Sequence, residues 1–378
     1  MRIVYCIAGT YRAAGMERVL ADKANALARR GHEVTIITTE QRGLRPAFAL
    51  DSRIRCIDLG IGYEDNNGAS IWNKLMNYPL KQMRHRRRLA VALGQIKPDV
   101  TVSMFCNEVN LLPRIKDGSV KILEVHFSRY KRLQYGRKGL WGLADRWRSR
   151  QDRRLAGRYS RFVVLTEEDR ALWGNLDNIC VIPNPVSFYP AEQVSLDAKR
   201  VSVIGRLCHQ KGQERLVEAW KLVCDHLGGD AAGWRLYIVG DGELREALED
   251  QIDRLGLSAT VEMAGVQQDM AEVYRHTSIV ALPSRYEGLP MVLLEAQAYG
   301  IPAVAFDCPC GPKDVIISGK DGLLVSEGNI QAMAEALLKL MREPALLRRM
   351  GDEAYKRAAR WAPEPIIDRW EKLFQKTL

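Results

Sequence analysis

Arg206 and Lys211 stand five positions apart, after a strand-like run and before a helical pattern. The loop that carries them has a glycine at each end, Gly205 and Gly212, so backbone N–H groups can approach an anion at the helix N-terminus. Arginine can bridge two phosphate oxygens, and lysine supplies a point charge. The loop therefore predicts a diphosphate site, with a solvated basic loop as the alternative.

Two glutamates eight positions apart form a second candidate site. Glu287 follows a strand-like run that ends at Leu282, and Glu295 stands in the apolar helical run that begins near Pro290,. Both carboxylates accept hydrogen bonds from hydroxyls, so together they could hold two sugar units of one ligand. An ion-paired helix residue is the alternative for Glu295, although its apolar neighbours disfavour solvent exposure.

Strand-like apolar runs alternate with amphipathic helical patterns along the chain, which is typical of βαβ units and parallel sheets. A proline pair at 183 and 185 and a polar stretch at 187–199 interrupt this alternation. We therefore predict two doubly wound α/β domains at 1–185 and 186–362, with ligands at the carboxyl ends of the strands in a cleft between them. A last helix at 363–378 is expected to pack back toward the N-terminal domain.

The ordered set of motifs resembles the retaining GT-B glycosyltransferases of family 4. The resemblance rests on GRL with KG at 205–212, VGDG at 239–242, the E-x7-E of 287 and 295, and IPNPV at 182–186. The resemblance is dense over residues 181–326 and weaker over the residues that precede them. It implies the GT-B fold, in which two Rossmann-like domains face each other across a cleft, with an N-terminal acceptor domain and a C-terminal domain for the nucleotide sugar.

The family pattern also implies roles for individual residues. Arg206 and Lys211 would neutralise the donor diphosphate in place of a metal ion. Glu287 would contact hydroxyls of the transferred sugar, and Glu295 would hold the ribose. Further donor-binding positions implied by the resemblance are Gly15, Gly240, Val266, Gly288 and Leu289.

In the N-terminal half, the resemblance rests on two features. The segment AGMERV at 14–19 resembles the glycine loop of the family, with Gly15 alone where two adjacent glycines are usual. His126 follows the strand-like run 122–125 and matches the family's active-site histidine, so it is expected to be catalytic with Arg206, Lys211 and Glu287. A structural histidine is the alternative.

The loop CPCGP at 308–312 departs from the glycine-rich loop of many family members. It resembles the C-P-x-G-P loop of enzymes that use UDP-hexoses such as galactose or N-acetylgalactosamine. The implied reaction transfers a hexose (Gal, GalNAc, Glc or GlcNAc) from a nucleotide diphosphate sugar, with UDP as the expected nucleotide. The acceptor would be a lipid-linked, lipopolysaccharide or capsule glycan. The anomeric configuration would be retained, and neither a metal nor another cofactor is expected, because no Asp-x-Asp motif follows a strand.

The positive charge of the chain is confined to one region. The formal net charge is +10, but residues 72–161 hold 22 Lys and Arg against 6 Asp and Glu, a local +16 that leaves −6 for the rest. Aromatic residues interleave with these cations: Trp72, Tyr130, Tyr135, Trp141 and Trp147. Lysine and arginine are attracted to anionic lipids. A cytoplasmic protein in peripheral contact with the inner face of the cell membrane is therefore expected, with a solvated helical face as the alternative.

Other functions fit parts of this pattern. A nucleic-acid-binding protein would use the basic segment, although that segment holds no recognised nucleic-acid motif. A nonhydrolysing UDP-sugar epimerase shares the two-domain architecture but needs no acceptor. An NAD-dependent dehydrogenase is disfavoured, because Arg245 replaces the third glycine of the dinucleotide fingerprint that begins at Gly240. No apolar run approaches the ~20 residues that span a bilayer, and the short run after Met1 predicts a first strand rather than a signal peptide.

Overall fold

The computed structural model describes residues 1–12, 14–66, 71–129, 139–187, 189–190, 192–228 and 231–378. The chain forms two compact units. The N-terminal unit comprises Met1–Ser187 together with Pro363–Leu378, and the C-terminal unit comprises Phe188–Ala362. Two of the interleaved aromatic residues, Tyr130 and Tyr135, lie outside the described residues.

The N-terminal unit is built on a parallel seven-stranded sheet. Its strands are β1 (Arg2–Ile7), β2 (Glu33–Thr38), β3 (Arg55–Asp58), β4 (Val100–Ser103), β5 (Val120–Glu124), β6 (Arg161–Val164) and β7 (Ile179–Val181), in the order β3-β2-β1-β4-β5-β6-β7. In β1 only the first residue is exposed. Such a continuous apolar run is expected of a central parallel strand, because helices cover both faces of the sheet.

In the described part of this unit, four α-helices lie between the strands. They are α1 (Gly15–Arg29), α2 (Ile71–Ile96), α3 (Leu140–Ala156) and α4 (Glu167–Trp173). Thr166 is the N-cap of α4: its hydroxyl accepts a hydrogen bond from the Asp169 backbone N–H and so caps the first turn,. The long helix α2 buries His85, Leu89 and Leu93 on one face.

The C-terminal unit repeats the same architecture with six parallel strands. The strands are β8 (Arg200–Ile204), β9 (Arg235–Val239), β10 (Val261–Gly265), β11 (Ile279–Leu282), β12 (Ala303–Asp307) and β13 (Gly322–Ser326), in the order β10-β9-β8-β11-β12-β13. The helices are α5 (Gln213–Leu227), α6 (Arg245–Arg254), α7 (Met270–Arg275), α8 (Met291–Ala298), α9 (Pro312–Val315), α10 (Ile330–Arg342) and α11 (Pro344–Ala358). Two units, each with a parallel sheet whose strands alternate with helices, confirm the predicted α/β fold class.

The last helix, α12 (Pro363–Thr377), belongs to the N-terminal unit. Its apolar side places Ile366, Trp370 and Phe374 in the same buried cluster as Leu20 of α1. The spacing of these residues matches the apolar stripe of an amphipathic helix, so burial against the N-terminal unit explains why the segment is helical.

Both sheets reverse their strand order at one point. The chain winds outward in one direction from β1 or β8 and in the other direction from β4 or β11. Loops that leave two neighbouring strands toward opposite faces open a crevice at this switch point, where α/β sheets bind their ligands. In the C-terminal unit, the loops after β8 and β11 are those that carry the predicted cations and carboxylates.

Candidate functional site

The cation loop, residues 205–212, connects β8 to α5. Gly212 has φ +65°, and a Cβ placed on it would lie 2.4 Å from the Pro283 carbonyl oxygen. Glycine is required here because the backbone is left-handed and a second loop is in contact. Arg206 is exposed, and the Lys211 side chain is partly buried.

The acidic loop, residues 283–290, connects β11 to α8 and is bonded to the cation loop through its backbone. The Arg285 N–H donates to the Gln210 carbonyl at 2.9 Å, and the Gln210 amide donates to the Tyr286 carbonyl at 3.1 Å. The Arg285 guanidinium also pairs with Glu214 of α5. These contacts bring together two segments that lie more than 70 positions apart in the sequence.

Lys211 and Glu287 meet where the two loops touch. The Lys211 Nζ lies 2.7 Å from the Glu287 Oε1, which also accepts a hydrogen bond from the Ser284 hydroxyl at 2.6 Å. Glu287 is 6% exposed. The lysine is therefore held at the carboxyl ends of β8 and β11, and its charge lies where a ligand of this sheet would bind.

Glu295 lies in the second turn of α8 and is buried. Its Oε2 accepts a hydrogen bond from the Tyr274 hydroxyl at 2.6 Å, and the ring of Tyr274 stacks on Tyr299 with centroids 5.1 Å apart. A buried carboxylate with a phenol donor is held in one orientation, as a carboxylate that recognises a diol must be.

The two glycines of the VGDG segment (239–242) allow this turn to pack closely against a neighbouring loop. A Cβ on Gly240 would lie 2.0 Å from the Gly205 carbonyl oxygen, and one on Gly242 would lie 2.3 Å from the Leu207 carbonyl oxygen. This turn packs directly against the cation loop, so its glycines have a structural role whatever ligand it meets. Val266, predicted as a donor-binding position, follows β10 and is 72% exposed.

The CPCGP loop lies against the acidic loop. The Glu287 N–H donates to the Pro309 carbonyl at 3.1 Å, and a Cβ on Gly311 would lie 2.4 Å from the Pro290 Cδ. Burial raises the pKa of the Cys308 thiol, so the thiol stays protonated at neutral pH,. Gly288 and Leu289 come just before α8, which begins at Met291.

His126 and Gly15 belong to the N-terminal unit. His126 lies two residues beyond the end of β5, with its side chain 7% exposed and its Nε2 3.1 Å from the Glu124 Oε1. Gly15 is the first residue of α1, and a Cβ placed on it would meet no atom within 4 Å. The fold alone therefore does not require glycine at this position.

Two family models together match most of the chain. The model described as Glycosyltransferase Family 4 matches residues 13–188, and the model described as Glycosyl transferases group 1 matches residues 189–357. The boundary between the matches lies within one residue of the boundary between the two units at Ser187 and Phe188. The chain belongs to the group 1 glycosyltransferases.

Three curated relatives show how far the likeness of this glycosyltransferase extends. It is 28% identical over 382 residues to an uncharacterized glycosyltransferase of Haemophilus influenzae, with 98% of this chain and 99% of the relative covered. It is 25% identical over 380 residues to the GalNAc-alpha-(1->4)-GalNAc-alpha-(1->3)-diNAcBac-PP-undecaprenol alpha-1,4-N-acetyl-D-galactosaminyltransferase of Campylobacter jejuni, with 99% and 98% covered. An exopolysaccharide phosphotransferase of Streptomyces coelicolor is 39% identical over 56% of this chain, but the match spans only 23% of that relative.

Solved structures share the fold of this glycosyltransferase. The Anabaena protein HepE, solved in complex with UDP-glucose, superposes with a TM-score of 0.72 over 100% of both chains at 16% identity. At that identity the likeness concerns the fold, which is the GT-B arrangement predicted from the motifs.

Some contacts of this glycosyltransferase were not foreseen from its sequence. Ser284 and Tyr274 hold Glu287 and Glu295, and Gln210 connects the two loops. No spacing rule could find Tyr274, because it comes from a different helix, α7. Among the described residues no cluster of three or more His, Cys, Asp or Glu could hold a metal ion, and no helix is long and apolar enough to cross a membrane.

Proposed function

We propose that this glycosyltransferase moves a hexose from a UDP-sugar to a glycan acceptor with retention at the anomeric carbon. The observation that carries the proposal is the meeting of Lys211 and Glu287 at the switch point of the C-terminal sheet. A cation for the diphosphate and a carboxylate for the sugar hydroxyls are needed side by side in a nucleotide-sugar site. Here two loops distant in sequence supply both.

The donor site follows from the chemistry of these loops. As the sugar leaves, negative charge grows on the departing phosphate, and fixed cations aimed at it lower the barrier most. Arg206 and Lys211 supply those cations, while Glu287 accepts from hydroxyls of the sugar. Glu295, oriented by Tyr274, accepts from the ribose. Lys211 pairs with Glu287 before the donor arrives, so its ammonium is already positioned.

The proposal also names the donor: its nucleotide is UDP and its sugar is a hexose. HepE was solved with UDP-glucose, and the Campylobacter relative is named as an N-acetyl-D-galactosaminyltransferase. The CPCGP loop packs on Glu287, the residue proposed to contact the sugar, so this loop is well placed to influence which hexose is accepted. The Campylobacter relative is named for an alpha linkage, which is the linkage that a retaining transferase forms from an alpha-linked donor.

The acceptor is proposed to be a lipid-linked or envelope glycan reached at a membrane surface. The Campylobacter relative carries PP-undecaprenol in its name, and the Streptomyces relative is named for exopolysaccharide. Helix α2 exposes Leu80, Met83 and Val91 on one side, together with Arg84 and Arg87. Exposed apolar residues beside arginines are typical of a helix that lies in a membrane interface.

Helix α3 has a similar exposed side. Leu143 and Trp147 are exposed, with Arg146, Arg150 and Arg154 at helical spacing around them. Tryptophan favours the headgroup level of a bilayer, and arginine favours its anionic lipids. The two helices thus support membrane contact by the N-terminal unit.

A donor screen with the purified protein tests the proposal. Nucleotide release is measured with UDP-glucose, UDP-galactose and their N-acetylated forms, each with and without a polyprenyl-diphosphate glycan acceptor. The expected result is acceptor-dependent release from one UDP-hexose, with an alpha-linked product and an unchanged rate in EDTA. Interconversion of UDP-sugars without acceptor would instead indicate an epimerase, and a rate that EDTA abolishes would contradict charge neutralisation by Arg206 and Lys211.

A further inference from the structure

A lysine and a glutamate form an ion pair in the interior of the N-terminal unit. Lys23 of α1 and Glu124 of β5 are each only 1% exposed, and the Lys23 Nζ contacts both carboxylate oxygens. The ammonium also lies over the rings of Trp370 at 4.1 Å and Tyr5 at 5.1 Å. A buried pair of this kind gains little net stability over apolar residues of the same size, so its presence calls for another reason.

The pair is adjacent to His126, the histidine predicted to be catalytic. Residues two apart in an extended strand face the same side, and His126 follows Glu124 at that spacing. The Nε2 of His126 lies 3.1 Å from the Glu124 Oε1. Neither ring nitrogen has a hydrogen-bond partner among the described residues, although both are buried. The Nε2 is close enough to the Glu124 carboxylate that only its alignment is missing for an Nε2–H bond, and Nδ1 is a buried ring nitrogen without a partner among the described residues.

The electrostatics agree with this geometry. Burial acts to raise the pKa of Glu124, but the Lys23 charge, followed by His126, brings that pKa down to about 2, so the carboxylate is ionised. Burial lowers the pKa of Lys23, and the charge of Glu124 opposes that effect. The carboxylate is thus shared between an ammonium and an imidazole, and Lys23 limits how far Glu124 favours a proton on His126.

We propose that Lys23 and Glu124 are positioning residues that fix the tautomer and the charge of His126. Glu124 accepts the Nε2–H, so Nδ1 offers its lone pair to a hydroxyl of a substrate. Lys23 offsets the charge of Glu124 that acts on the imidazole. The inference rests on the proposed function only in making that hydroxyl part of a sugar substrate.

Other groups also act on His126 and must be counted. Glu17 of α1 interacts electrostatically with the imidazole, and Arg12, in the segment before α1, offsets part of the Glu17 charge. The hydroxyl of Tyr5 lies in the same interior, and burial followed by Glu124 raises the pKa of Tyr5, so it carries no charge. Among the described residues, Lys23 is therefore the cation that directly pairs with Glu124.

The first measurement uses the unaltered protein. The chain has six histidines, and the ring nitrogens of His126 are identified in ¹⁵N NMR spectra by comparison with His126→Asn. The expected result is a neutral ring at pH 7.5 with the proton on Nε2. A proton on Nδ1, or a cationic ring at that pH, would overturn the inference without any variant of the pair.

The second measurement compares three variants by the same titration. Lys23→Met leaves Glu124 unbalanced, so the His126 midpoint should rise by about one to three pH units. Glu124→Gln leaves the Lys23 charge near the ring, so the midpoint should fall. The double variant Lys23→Met/Glu124→Gln has a neutral pair of similar shape, and its midpoint should return to within about half a unit of the starting value. Equal midpoints in all folded forms would contradict the inference.

The double variant also guards against loss of folding, because each single change leaves one buried charge without its partner. If a single variant does not fold, the double variant remains the test: the amide introduced at position 124 can donate or accept, so the proton should no longer be held on Nε2 alone, and an unchanged Nε2–H tautomer would contradict the role of Glu124. The acid limb of kcat/KM should move in the same direction as the His126 midpoint. A protein that shows these shifts but transfers no sugar would refute the proposed function alone. A protein that transfers sugar with unmoved midpoints would refute only the role of Lys23 and Glu124.

Discussion

At the scale of single residues, the glycines of this chain occupy their positions for different physical reasons. Gly240 has φ +133°, and a Cβ on it would lie 2.0 Å from the carbonyl oxygen of Gly205. Gly94, in the exposed face of α2, has no such constraint, and a Cβ there would meet no atom within 4 Å. A sequence shows both as the same letter, so only the structure separates the glycine that the fold requires from one that it tolerates.

The first prediction follows from this contrast. Gly240→Ala should lower the free energy of unfolding by at least about 2 kcal/mol, because the new methyl group forces two loops apart and the backbone angle is strained. Gly94→Ala, the matched control, should raise it by about 0.5–1 kcal/mol through helix propensity. Urea denaturation followed by circular dichroism measures both. Equal stability of Gly240→Ala and the parent protein would show that the loops do not pack as described.

The chemistry of individual site residues was partly accessible from the sequence. Arg206, Lys211 and Glu287 were predicted as site residues because they follow apolar strand-like runs and because their motifs occur in a specific order. The pairing of Lys211 with Glu287 could not be predicted, because this contact spans 76 positions and depends on the strand order. Lys23 was missed because it lies on the buried face of an amphipathic helix, where its charge contradicts the apolar pattern.

At the scale of elements, α2 is attached to the N-terminal unit through a buried histidine. His85 is 1% exposed, and its Nδ1 lies 3.0 Å from the Tyr63 hydroxyl. Burial lowers the pKa of His85 from 6.5 to about 4. The ring is therefore neutral in the folded protein at pH values where it would already be protonated in the unfolded chain.

The second prediction is an acid-dependent loss of stability at α2. Between pH 6.5 and 4 the unfolded chain binds a proton that the folded protein does not, so the free energy of unfolding falls as the pH decreases, by about 3 kcal/mol from this group. The variant His85→Gln should flatten the pH dependence by that amount, and His226→Gln, at an exposed position, should not. Chemical denaturation at several pH values is the measurement. The same slope in His85→Gln as in the parent would place the cause elsewhere.

The predicted strand-like runs at 122–125 and ending at Leu282 correspond to β5 and β11, whereas the short edge strands β3 and β7 were not predicted. The central strands β1 and β11 are apolar throughout after the first residue of β1, and β8 is interrupted after its first residue only by the buried Ser202, as expected of parallel strands covered on both faces,. The residues of the edge strand β3 (RCID) are mostly exposed, and the edge strand β7 (ICV) has only three residues. Neither has a period that distinguishes it from a loop, since hydrogen bonding to a neighbour rather than burial defines it.

At the scale of the whole molecule, the positive charge is concentrated in the N-terminal unit. The basic segment that carries the net charge of +10 forms parts of the N-terminal unit, including α2 and α3. Arg206 and Lys211 lie outside that segment, in the C-terminal unit. Composition alone revealed the imbalance but not that its cations share exposed helix faces with apolar side chains, which is the arrangement that favours a membrane surface.

The third prediction concerns that surface. The protein should sediment with vesicles that contain phosphatidylglycerol at low salt, and binding should weaken as salt screens the lipid charge. The double variant Arg84→Glu/Arg87→Glu should weaken binding by at least about 30-fold, at ~1 kcal/mol for each lost arginine. Arg348→Glu/Arg349→Glu, at exposed positions of the C-terminal unit, is the control and should change binding less. Equal binding to pure phosphatidylcholine would argue against an electrostatic contact.

The most direct test of the account is the rate of nucleotide release by Lys211→Ala beside its control Lys221→Ala. Lys221 lies on α5 and pairs with Asp225 on the helix surface, so its removal should alter the rate by no more than about twofold,. Lys211→Ala removes a cation from the proposed diphosphate site and should lower kcat by about 10²–10³, as the loss of one oxyanion donor does. A Lys211→Ala protein that turns over its UDP-sugar at nearly the parent rate would contradict the donor site described here.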